Sequence, residues 1–441
     1  MSSEWPIWQI QDVCSVGDGA HSKVQRIGAG VPYLTSKNIG LGNLKLDKYD
    51  FISADSFNKL FPMESKATRR PKPGDLLIGI IGTFGNAYLY KESDSFGFSS
   101  SIGIIRPNKD KIVPRYLYYV VTSPKFKSVH IASDGGSAQG YTNIPAIKKL
   151  PIYVPPLQAQ DAIASLLGAL DDRIDLLRET NATLEAIAQA LFKSWFVDFD
   201  PVHAKMEGRA PEGMDEATAA LFPDGLEESE LGLVPRGWLP VPVYDLGTYI
   251  NGAAYKAFSP NLERRGLPII KIAELKAGVS SQTAYSDVVM PEKYRINTAD
   301  ILFSWSGNPD TSIDTFVWSH GQAWLNQHIF RVLAQEVHER SFLLRTLKYL
   351  RPVFAELARN KQTTGLGHVT VADLKRLLVI KPDKVLLVHF DSVVSAIHDM
   401  MFNNDQAAQS LATLRDTLLP RLISGQLRIP EAAAQIDALA A

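Results

Sequence analysis

The chain of 441 residues is 45% hydrophobic and 21% charged, carries a net charge of −1 and contains a single cysteine, Cys14. This composition is typical of a globular protein with two or three domains. One cysteine excludes an intramolecular disulfide, and we find neither a signal peptide nor a run of about 18 apolar residues, so we expect a cytoplasmic protein without a membrane span.

The charge is unevenly distributed along the chain. Residues 1–156 have a balance of +7 and residues 237–383 a balance of +4, whereas residues 198–236 have a balance of −7. Two mildly basic blocks are therefore separated by an acidic one. Basic blocks are suited to phosphate contacts, although ordinary solvated surface gives the same pattern.

An internal repeat accounts for these blocks. The segment "WPIWQIQDVCSVGDGAHSK" from Trp5 corresponds to "WLPVPVYDLGTYINGAAYK" from Trp238, and "PYLTSKNI" from Pro32 corresponds to "PIIKIAEL" from Pro268. Further on, "PGDLLIGIIGT" corresponds to "TADILFSWSGN", and "GYTNIPAIKKLPIYVPP" from Gly140 to "GHVTVADLKRLLVIKP". The chain is thus two copies of one unit, and the gaps between the matched blocks are its variable loops.

Each copy begins with a mixed α/β pattern. The apolar runs "GDLLIGI" and "ADILFSW" predict strands, and "PRYLYYVVTS" and "SFLLRTLKYLRPVF" each predict one helix. The last repeated stretch predicts a loop, then a short helix that carries Ile147 or Leu374, then a strand that stops at Pro155 or Pro382.

A long helix with a spacing of three and four follows each of these strands. Such a sustained heptad spacing predicts two coiled-coil seams that bury each other, although two amphipathic helices packed on their own globular parts are the alternative. The first seam is Ile163, Leu167, Leu170, Ile174, Leu177, Asn181, Leu184, Ala188, Leu191 and Trp195. The second is Phe390, Val394, Ile397, Met401, Asn404, Ala408, Leu411, Arg415, Leu418 and Leu422.

Each seam contains one asparagine, Asn181 or Asn404. When Ile163 is placed at heptad position d, Asn181 falls at a and Asn404 at d, and these two positions face each other in an antiparallel pair. We therefore expect the two amides to meet near the middle of the pair, where they penalise slipped registers. Two separately solvated asparagines are the alternative.

The acidic segment of residues 198–236 is rich in proline and glycine and weakly periodic, which predicts an extended linker on the surface. No GxxxxGK[ST] loop, HExxH motif or paired CxxC motif is present, and the nine histidines form no ligand cluster. The sequence therefore predicts neither a catalytic constellation nor a metal site.

Polar side chains collect instead at corresponding loop positions of the two copies. Arginine, lysine, asparagine and glutamine are the side chains that bind phosphates and base edges, so these positions are candidate DNA contacts, although each is also compatible with plain surface. The candidates are Ser36, Lys37, Asn38, Arg69, Arg70, Lys72, Thr83 and Asn86 in the first copy, and Arg264, Arg265, Lys271, Ser306, Asn308, Lys361 and Gln362 in the second.

Three stretches carry a resemblance to a known family. "LFKSWFVDFDPVHAKMEG" from Leu191, "ESELGLVPRGW" from Glu228 and "LRDTLLPRLISGQL" from Leu414 closely resemble the specificity subunit of type I restriction–modification systems. The resemblance covers the whole chain. These motifs belong to the shared framework of the family, so they do not indicate which DNA sequence is recognised.

The resemblance implies an α+β fold of two similar mixed α/β target-recognition domains, separated by two long antiparallel coiled-coil helices. Each domain would read one half of a bipartite double-stranded DNA site, and the helices would set the spacer. The helices and linker would dock two methyltransferase subunits, and restriction/translocase subunits would join them. S-adenosylmethionine, ATP and Mg would be bound by these partners, and the chain itself would need no cofactor and no metal.

The implied boundaries are target-recognition domains at 1–156 and 237–383, spacer helices at 157–197 and 384–424, the acidic linker at 198–236 and a tail at 425–441. Two other classes of function stay open from the residues alone. One is a methylase or nuclease with a degenerate site, which S-adenosylmethionine binding by the isolated chain would reveal. The other is a coiled-coil scaffold without a DNA role, in which loss of the basic loops would leave DNA retention unchanged.

Overall fold

The computed structural model describes residues 5–64, 68–82, 85–132, 142–362 and 365–440. The chain forms two compact units. Unit 1 consists of residues 1–175 together with residues 409–441, and unit 2 consists of residues 176–408. Each unit contains one globular lobe and parts of both long helices.

The lobe of unit 1 contains nine strands and five short helices among the described residues. The strands are β1 Ile7–Gln9, β2 Cys14–Asp18, β3 Val31–Leu34, β4 Asp50–Ile52, β5 Leu76–Gly79, β6 Ala87–Leu89, β7 Gly97–Phe98, β8 Ile102–Pro107 and β9 Pro151–Tyr153. The helices are α1 Ile10–Val13, α2 Ala54–Leu60, α3 Pro114–Thr122, α4 Pro124–Ala132 and α5 Ile144–Lys149.

The long helix α6 Leu157–Phe196 follows this lobe. The acidic segment then folds into α7 Asp200–Met206, α8 Glu216–Ala220 and a hairpin of β10 Leu226–Ser229 with β11 Gly232–Pro235. The prediction of an extended surface linker was wrong. Val202, Phe222 and Val234 are each at most 3% exposed and belong to the core of unit 2, so a few apolar anchors outweigh the acidic composition.

The lobe of unit 2 contains the remaining strands and four helices. The strands are β12 Leu239–Pro242, β13 Gly247–Asn251, β14 Leu267–Ile270, β15 Tyr285–Ser286, β16 Arg295–Ile296, β17 Ile301–Ser304, β18 Ser306–Gly307, β19 Asp314–Val317, β20 Ala323–Leu325, β21 Ile329–Ala334, β22 Gly367–His368 and β23 Leu378–Lys381. The helices are α9 Ile272–Ala277, α10 Arg340–Tyr349, α11 Arg351–Arg359 and α12 Val371–Arg376. The second long helix, α13 Lys384–Ile423, and the helix α14 Ile429–Ala440 complete the chain order.

The two lobes share the topology of the main sheet and of three strands of the second sheet, which confirms the repeat, and unit 2 adds β16 at one edge. Unit 1 has an antiparallel sheet in the order β2-β8-β5-β6, and unit 2 has its counterpart in the order β13-β21-β17-β19. A second sheet, β4-β3-β7 in unit 1 and β15-β14-β20-β16 in unit 2, contains a parallel contact, β3 with β7 or β14 with β20. In both lobes the first strand pairs with the last, β1 with β9 and β12 with β23.

The predicted local elements are present with one exception. The sequence correctly predicts the strands β5 and β17, the helix α3 and both helix–strand endings, α5-β9 and α12-β23. The stretch "SFLLRTLKYLRPVF" is two helices rather than one, because α10 ends at Tyr349 and α11 begins at Arg351. Pro352 explains the break, since it has no N–H to donate to the carbonyl of Lys348 and its ring clashes with that carbonyl in a continuous helix.

The long helices run antiparallel in each unit. In unit 1, Ile163 and Leu167 from the beginning of α6 share a core with Leu418 and Leu422 from the end of α13. In unit 2, Trp195 from the end of α6 lies 5.6 Å from Phe390 near the beginning of α13, measured between ring centroids. All twenty predicted seam positions are buried or half-buried, as the heptad pattern requires.

Among the helices of the described residues, α13 is the one long and apolar enough to cross a membrane by length and composition. Its seam contributes to this apolar composition. Phe390 and Val394 are fully buried in unit 2, and Leu418 and Leu422 are fully buried in unit 1. Burial against α6 therefore accounts for part of the hydropathy of α13.

The start of α6 is fixed to the lobe of unit 1 by Gln160. This side chain is fully buried, and it donates to the carbonyls of Lys111 and Pro155 and accepts from the N–H of Val113. The matching position in unit 2 is Leu387, which is 1% exposed and part of an apolar core. The two copies thus attach their lobes to equivalent helices by different chemistry.

Candidate nucleic-acid interface

The first group of predicted contacts lies on a 3-10 turn, Ser36–Asn38, that follows β3. Lys37 is exposed, whereas Ser36 and Asn38 are 6% and 5% exposed. The amide of Asn38 donates to the carbonyls of Lys45 and Lys48 and accepts from Thr35. Of these three residues, only Lys37 presents its side chain to solvent, and Asn38 has a structural role.

The second group of predicted contacts in unit 1 also contains both exposed and internally bonded side chains. Arg70 donates to the carbonyl of Phe61 at 2.7 Å, and its guanidinium lies 4.9 Å from the ring centroid of Phe57. Arg69 is half-buried, while the ammonium group of Lys72 is exposed. The guanidinium of Arg70 is therefore used inside the lobe.

Asn86 also has an internal partner, because its Nδ2 atom donates to the carbonyl of Ile39 at 2.9 Å. Thr83 lies outside the described residues. The carbonyl of Asn86 accepts from the N–H of Gly79 at 3.4 Å, so this residue links the end of β5 to the loop after β3.

Arg264 and Arg265 are adjacent in unit 2, but their surroundings differ. Arg265 is paired with Glu263 at 2.9 Å and with Asp287 at 3.0 Å. Arg264 donates to the hydroxyl of Tyr285 at 2.8 Å, and its guanidinium lies 5.0 Å from the centroid of that ring. The charge of Arg265 is compensated within the loop, whereas the charge of Arg264 has no carboxylate partner among the described residues.

Lys271, Ser306 and Asn308 are close to strand ends of the same lobe. The ammonium of Lys271 lies 5.2 Å from the ring centroid of Tyr255, and its backbone N–H donates to Glu274. Ser306 lies in β18, and the side chain of Asn308 closes a turn by accepting from two backbone N–H groups. Asn308 therefore shapes the loop in which it lies.

Lys361 and Gln362 are also held by internal contacts. The Nζ atom of Lys361 lies 2.6 Å from Oδ1 and 2.5 Å from Oδ2 of Asp373, and Gln362 donates to the carbonyl of Gly365. Burial alone would raise the pKa of Asp373, but the hydrogen bonds from Lys361 and Thr370 outweigh it and lower the pKa to about 2. Lys361 thus neutralises a buried carboxylate, so its charge is not available to a phosphate.

The sequence prediction did not include three residues whose chemistry is suited to contacts with nucleic acid. Tyr285 supports Arg264, and Lys45 and Lys48 are exposed lysines on the loop after the first 3-10 turn. The repeat gave no signal for the two lysines, because that loop falls in a gap between the matched blocks. The tyrosine lies on a two-residue strand, which is too short to stand out in the sequence.

The two seam asparagines are in contact within unit 2. The Nδ2 atom of Asn404 donates to Oδ1 of Asn181 at 2.8 Å, and Nδ2 of Asn181 donates to the carbonyl of Met401 and to Oδ1 of Asp405. In unit 1, Arg415 is the corresponding polar seam residue, and it donates to Oδ1 of Asp171 at 2.6 Å. Both contacts fit one antiparallel register to within one residue.

A buried ion pair attaches the lobe of unit 2 to α6. Arg345 on α10 is 1% exposed and donates to Oε1 of Glu185 at 2.8 Å, while Lys348 lies 3.1 Å from Oε2. Burial would raise the pKa of Glu185, but the charges of Lys348 and Arg345 hold it below its usual value. In unit 1 the corresponding attachment is the hydroxyl of Tyr119, which donates to Asp171 at 2.6 Å.

Within the described ranges of the chain, no group of three or more histidine, cysteine, aspartate or glutamate side chains is placed to hold a metal ion. Cys14 is buried, and burial raises the pKa of its thiol to about 12, so this thiol stays protonated near neutral pH.

Comparison with known proteins gives one family. A family model described as the type I restriction modification DNA specificity domain matches residues 2–186 and 235–384. The type I restriction enzyme HindI specificity subunit of Haemophilus influenzae is 27% identical over 416 residues, which cover 83% of this chain and 89% of that protein. The MjaIX specificity subunit of Methanocaldococcus jannaschii is 24% identical over 438 residues, with 97% and 94% coverage.

A solved structure shows the same fold. The crystal structure of the type I restriction–modification S subunit from M. genitalium matches with a TM-score of 0.50 and 16% identity, and the match covers 96% of each chain. The two matched regions of the family model together span more than half of this chain, and they coincide with the two repeated lobes and the first part of α6. The chain therefore belongs to the type I restriction–modification DNA specificity family.

Proposed function

We propose that this chain reads a bipartite double-stranded DNA site, with one part of the site bound by each lobe. The observation that carries the proposal is the occurrence of the same DNA specificity domain twice, in residues 2–186 and 235–384. Two copies with one strand order and different loops are suited to two different half-sites. Phosphate contacts would place each lobe on the duplex, and contacts to base edges would select the sequence.

The surroundings of each side chain divide the predicted contacts into two groups. Lys37, Lys72 and Arg264 remain candidates, because each is exposed and has no carboxylate partner among the described residues. The other group is used within the lobes, as shown by the amide of Asn38 and the ammonium of Lys361. A side chain of this second group would have to give up its internal partner before it bound DNA.

The proposed partners are two methyltransferase subunits, which the long helices and the segment between the lobes would dock, and restriction/translocase subunits. S-adenosylmethionine, ATP and Mg would be bound by these partners, in the cytoplasm. As a member of a specificity family, the chain is a recognition subunit and not an enzyme. The antiparallel helices would set the number of base pairs left unread between the half-sites.

A domain replacement tests the proposal. The lobe of unit 2, residues 237–383, is exchanged for the corresponding region of a relative, the variant is expressed with its methyltransferase subunits, and methylated adenines are mapped in the DNA of the cells. We expect one half of the methylated motif to change while the other half and the spacer stay the same. A change in both halves, or in neither, would contradict reading by independent lobes.

A second measurement concerns catalysis. The isolated chain is incubated with duplex DNA and S-adenosylmethionine, first alone and then with the methyltransferase subunits. Methyl transfer should require those subunits, and the isolated chain should bind no S-adenosylmethionine by calorimetry. Methylation by the chain alone would contradict the assignment of the chemistry to the partners.

A further inference from the structure

The loop of residues 39–48 in unit 1, here called the clamped loop, is held by the side chain that precedes it. Asn38 is 5% exposed, and its Nδ2 atom donates to the carbonyl of Lys45 at 2.9 Å and to that of Lys48 at 2.8 Å. Its Oδ1 atom accepts from the N–H and the hydroxyl of Thr35 at 2.9 and 3.1 Å. Both donors and both acceptor sites of the amide are therefore occupied.

Hydrogen bonds with Asn86 and Ala87 also hold the clamped loop in place. Asn86 donates to the carbonyl of Ile39, and the N–H of Gly42 donates to the carbonyl of Ala87, both at 2.9 Å. Gly42 has a φ of +80°, and a Cβ atom there would lie 2.6 Å from the hydroxyl oxygen of Tyr118. Hydrogen bonds from outside the loop thus act with its internal bond, from the N–H of Gly40 to the carbonyl of Asn43, to fix its shape, and a side chain at Gly42 would be strained.

Cationic and apolar groups on this rigid loop face solvent. Lys45 and Lys48 are exposed, as is Lys37 immediately before the clamp, and none of the three has an ion-pair partner in the described part of the chain. Leu41 and Leu46 are 59% and 48% exposed. Three lysines without an ion-pair partner, against one exposed carboxylate, Asp47, give this surface a net positive charge, which favours contact with phosphates.

We propose that the clamped loop is the surface by which unit 1 contacts duplex DNA, with Lys37, Lys45 and Lys48 bound to phosphates. This inference rests on the proposed function, since the DNA is the ligand assigned there. Asn38 is then a positioning residue, because it fixes the backbone from which two of the lysines extend. A loop that is already ordered loses less conformational entropy on binding, so the clamp strengthens phosphate contacts without touching DNA.

The clamp is particular to unit 1. The matching position in unit 2 is Glu274, which is 6% exposed and accepts at 3.0 Å from the N–H of Lys271, as Asn38 accepts from Thr35. A carboxylate has no N–H, so Glu274 is unable to donate to the carbonyls of a following loop. Equivalent turns therefore begin the two loops, but only the first turn carries the clamp.

The first test is Asn38→Asp, studied in the complex of the full chain with its methyltransferase subunits. Aspartate keeps the two acceptor contacts to Thr35 and loses the two donor contacts to the loop. We expect binding to a duplex with the methylated motif to weaken about tenfold at 0.15 M salt. Base selection should relax only in the half-site that domain replacement assigns to unit 1. Glu274→Gln is the matched control, and it should leave that half-site unchanged.

The second test is the double variant Lys45→Ala/Lys48→Ala, which changes only exposed side chains and should therefore leave the fold intact. Loss of two phosphate contacts should lower the slope of log Kobs against log salt by about 2. Lys109→Ala, another exposed lysine of unit 1, serves as the control and should leave the slope unchanged. An unchanged slope in the double variant would overturn the inference.

Different results would overturn the proposed function and the clamp. A complex that methylates no bipartite motif would overturn the proposed function. If the complex methylates such a motif but the Asn38→Asp variant keeps full affinity and unchanged base selection, the proposed role of the clamp is wrong. The proposed function is not affected by that result. Thermal unfolding of each variant is measured alongside, and a shift in half-site selection without a shift in Tm supports positioning over general stability.

Discussion

The Nδ2 atom of Asn404 lies 2.8 Å from the Oδ1 atom of Asn181, across the seam of the two long helices. Both residues are half-buried, and Asn181 gives its own N–H groups to the carbonyl of Met401 and to Asp405. The amide of Asn181 therefore uses both its donor and its acceptor side on partners of the opposite helix. This is the contact that the heptad count predicts for an antiparallel pair.

Replacing one of these amides should destabilise unit 2. In Asn181→Leu, Asn404 loses its acceptor, and we expect a decrease of about 1–2 kcal/mol in the free energy of unfolding, measured by urea denaturation. The double variant Asn181→Leu/Asn404→Leu should recover much of this loss, because an apolar pair in a seam needs no hydrogen bond. A double variant less stable than both single variants would contradict this account.

The same double variant should lose register specificity. A polar pair penalises slipped registers, since a slip separates the two amides and buries each against an apolar residue. If the helices set the spacer, DNA from cells with the Leu/Leu variant should carry methylation at sites with more than one spacer length. A single unchanged spacer in that variant would show that other contacts fix the register.

The sequence predicts the framework better than the interface, for physical reasons. The repeat and the seam are visible because burial imposes a period on many positions at once, as from Ile163 to Leu177. The fate of a surface cation depends on partners that are distant in sequence, such as Asp287 for Arg265 or Asp373 for Lys361. A single sequence does not show these pairings, so it treats compensated and uncompensated cations alike.

The acidic segment of residues 198–236 shows a second kind of feature that the sequence does not predict. Its charge and its prolines predict an extended chain, but Phe222 packs on Trp195 with a centroid distance of 5.2 Å, and Val234 is 3% exposed. A few apolar anchors at irregular spacing give no periodic signal, yet burial of each is worth about 1.5–3 kcal/mol. Composition therefore describes the solvent-facing side of this segment and misses the side that packs on unit 2.

Breaking the buried pair of Arg345 and Glu185 should be costly. Glu185→Gln removes the countercharge of a guanidinium that is 1% exposed, and we expect a loss of about 3–5 kcal/mol in the free energy of unfolding. The exposed pair of Arg209 and Glu207 is the control, and Arg209→Ala should change stability by less than about 1 kcal/mol. Equal effects from the two variants would show that burial does not govern the strength of these pairs.

Part of the acid sensitivity should come from one histidine in each unit whose pKa is strongly lowered, the buried His130 and the half-buried His398. Burial lowers the pKa of His130 in unit 1 to about 4. Burial, followed by the charges of Arg345, Arg340 and Lys348, lowers the pKa of His398 in unit 2 to about 3. Both side chains are neutral in the folded state near neutral pH, and in the unfolded state they take up protons below the ordinary histidine pKa of 6.5.

The direction in which stability changes with pH follows from this proton uptake. The unfolded state binds more protons between pH 6.5 and the lowered values, so stability should fall as the pH decreases through this window, by about 1.4 kcal/mol per pH unit for each histidine. His398→Gln should flatten the decline for unit 2, measured by urea midpoints from pH 7 to pH 4. His203→Gln, at an exposed position of α7, should leave the curve unchanged. An unflattened curve for His398→Gln would contradict the assignment.

The side chain of Arg264 is held against Tyr285 in the lobe of unit 2. Arg264 is exposed, has a left-handed backbone with a φ of 61°, and lies over Tyr285 at 5.0 Å. A left-handed conformation costs a non-glycine residue about 1–3 kcal/mol, and the stacking and the hydroxyl contact hold the guanidinium in one orientation. The donors that do not face Tyr285 remain available to a base edge, and guanine is the base that arginine binds with two hydrogen bonds.

Arg264→Ala in the methyltransferase complex should therefore weaken binding by about 1–3 kcal/mol and relax one base position of the half-site read by unit 2. Tyr285→Phe should have a smaller effect of the same kind, because it removes the hydroxyl contact and keeps the ring. Arg265→Ala is the matched control: its guanidinium is already paired with Glu263 and Asp287, so base selection should stay unchanged. The opposite result, a relaxed half-site in Arg265→Ala and an unchanged one in Arg264→Ala, would contradict this account. It would show that ion pairs within the loop do not exclude an arginine from DNA contact.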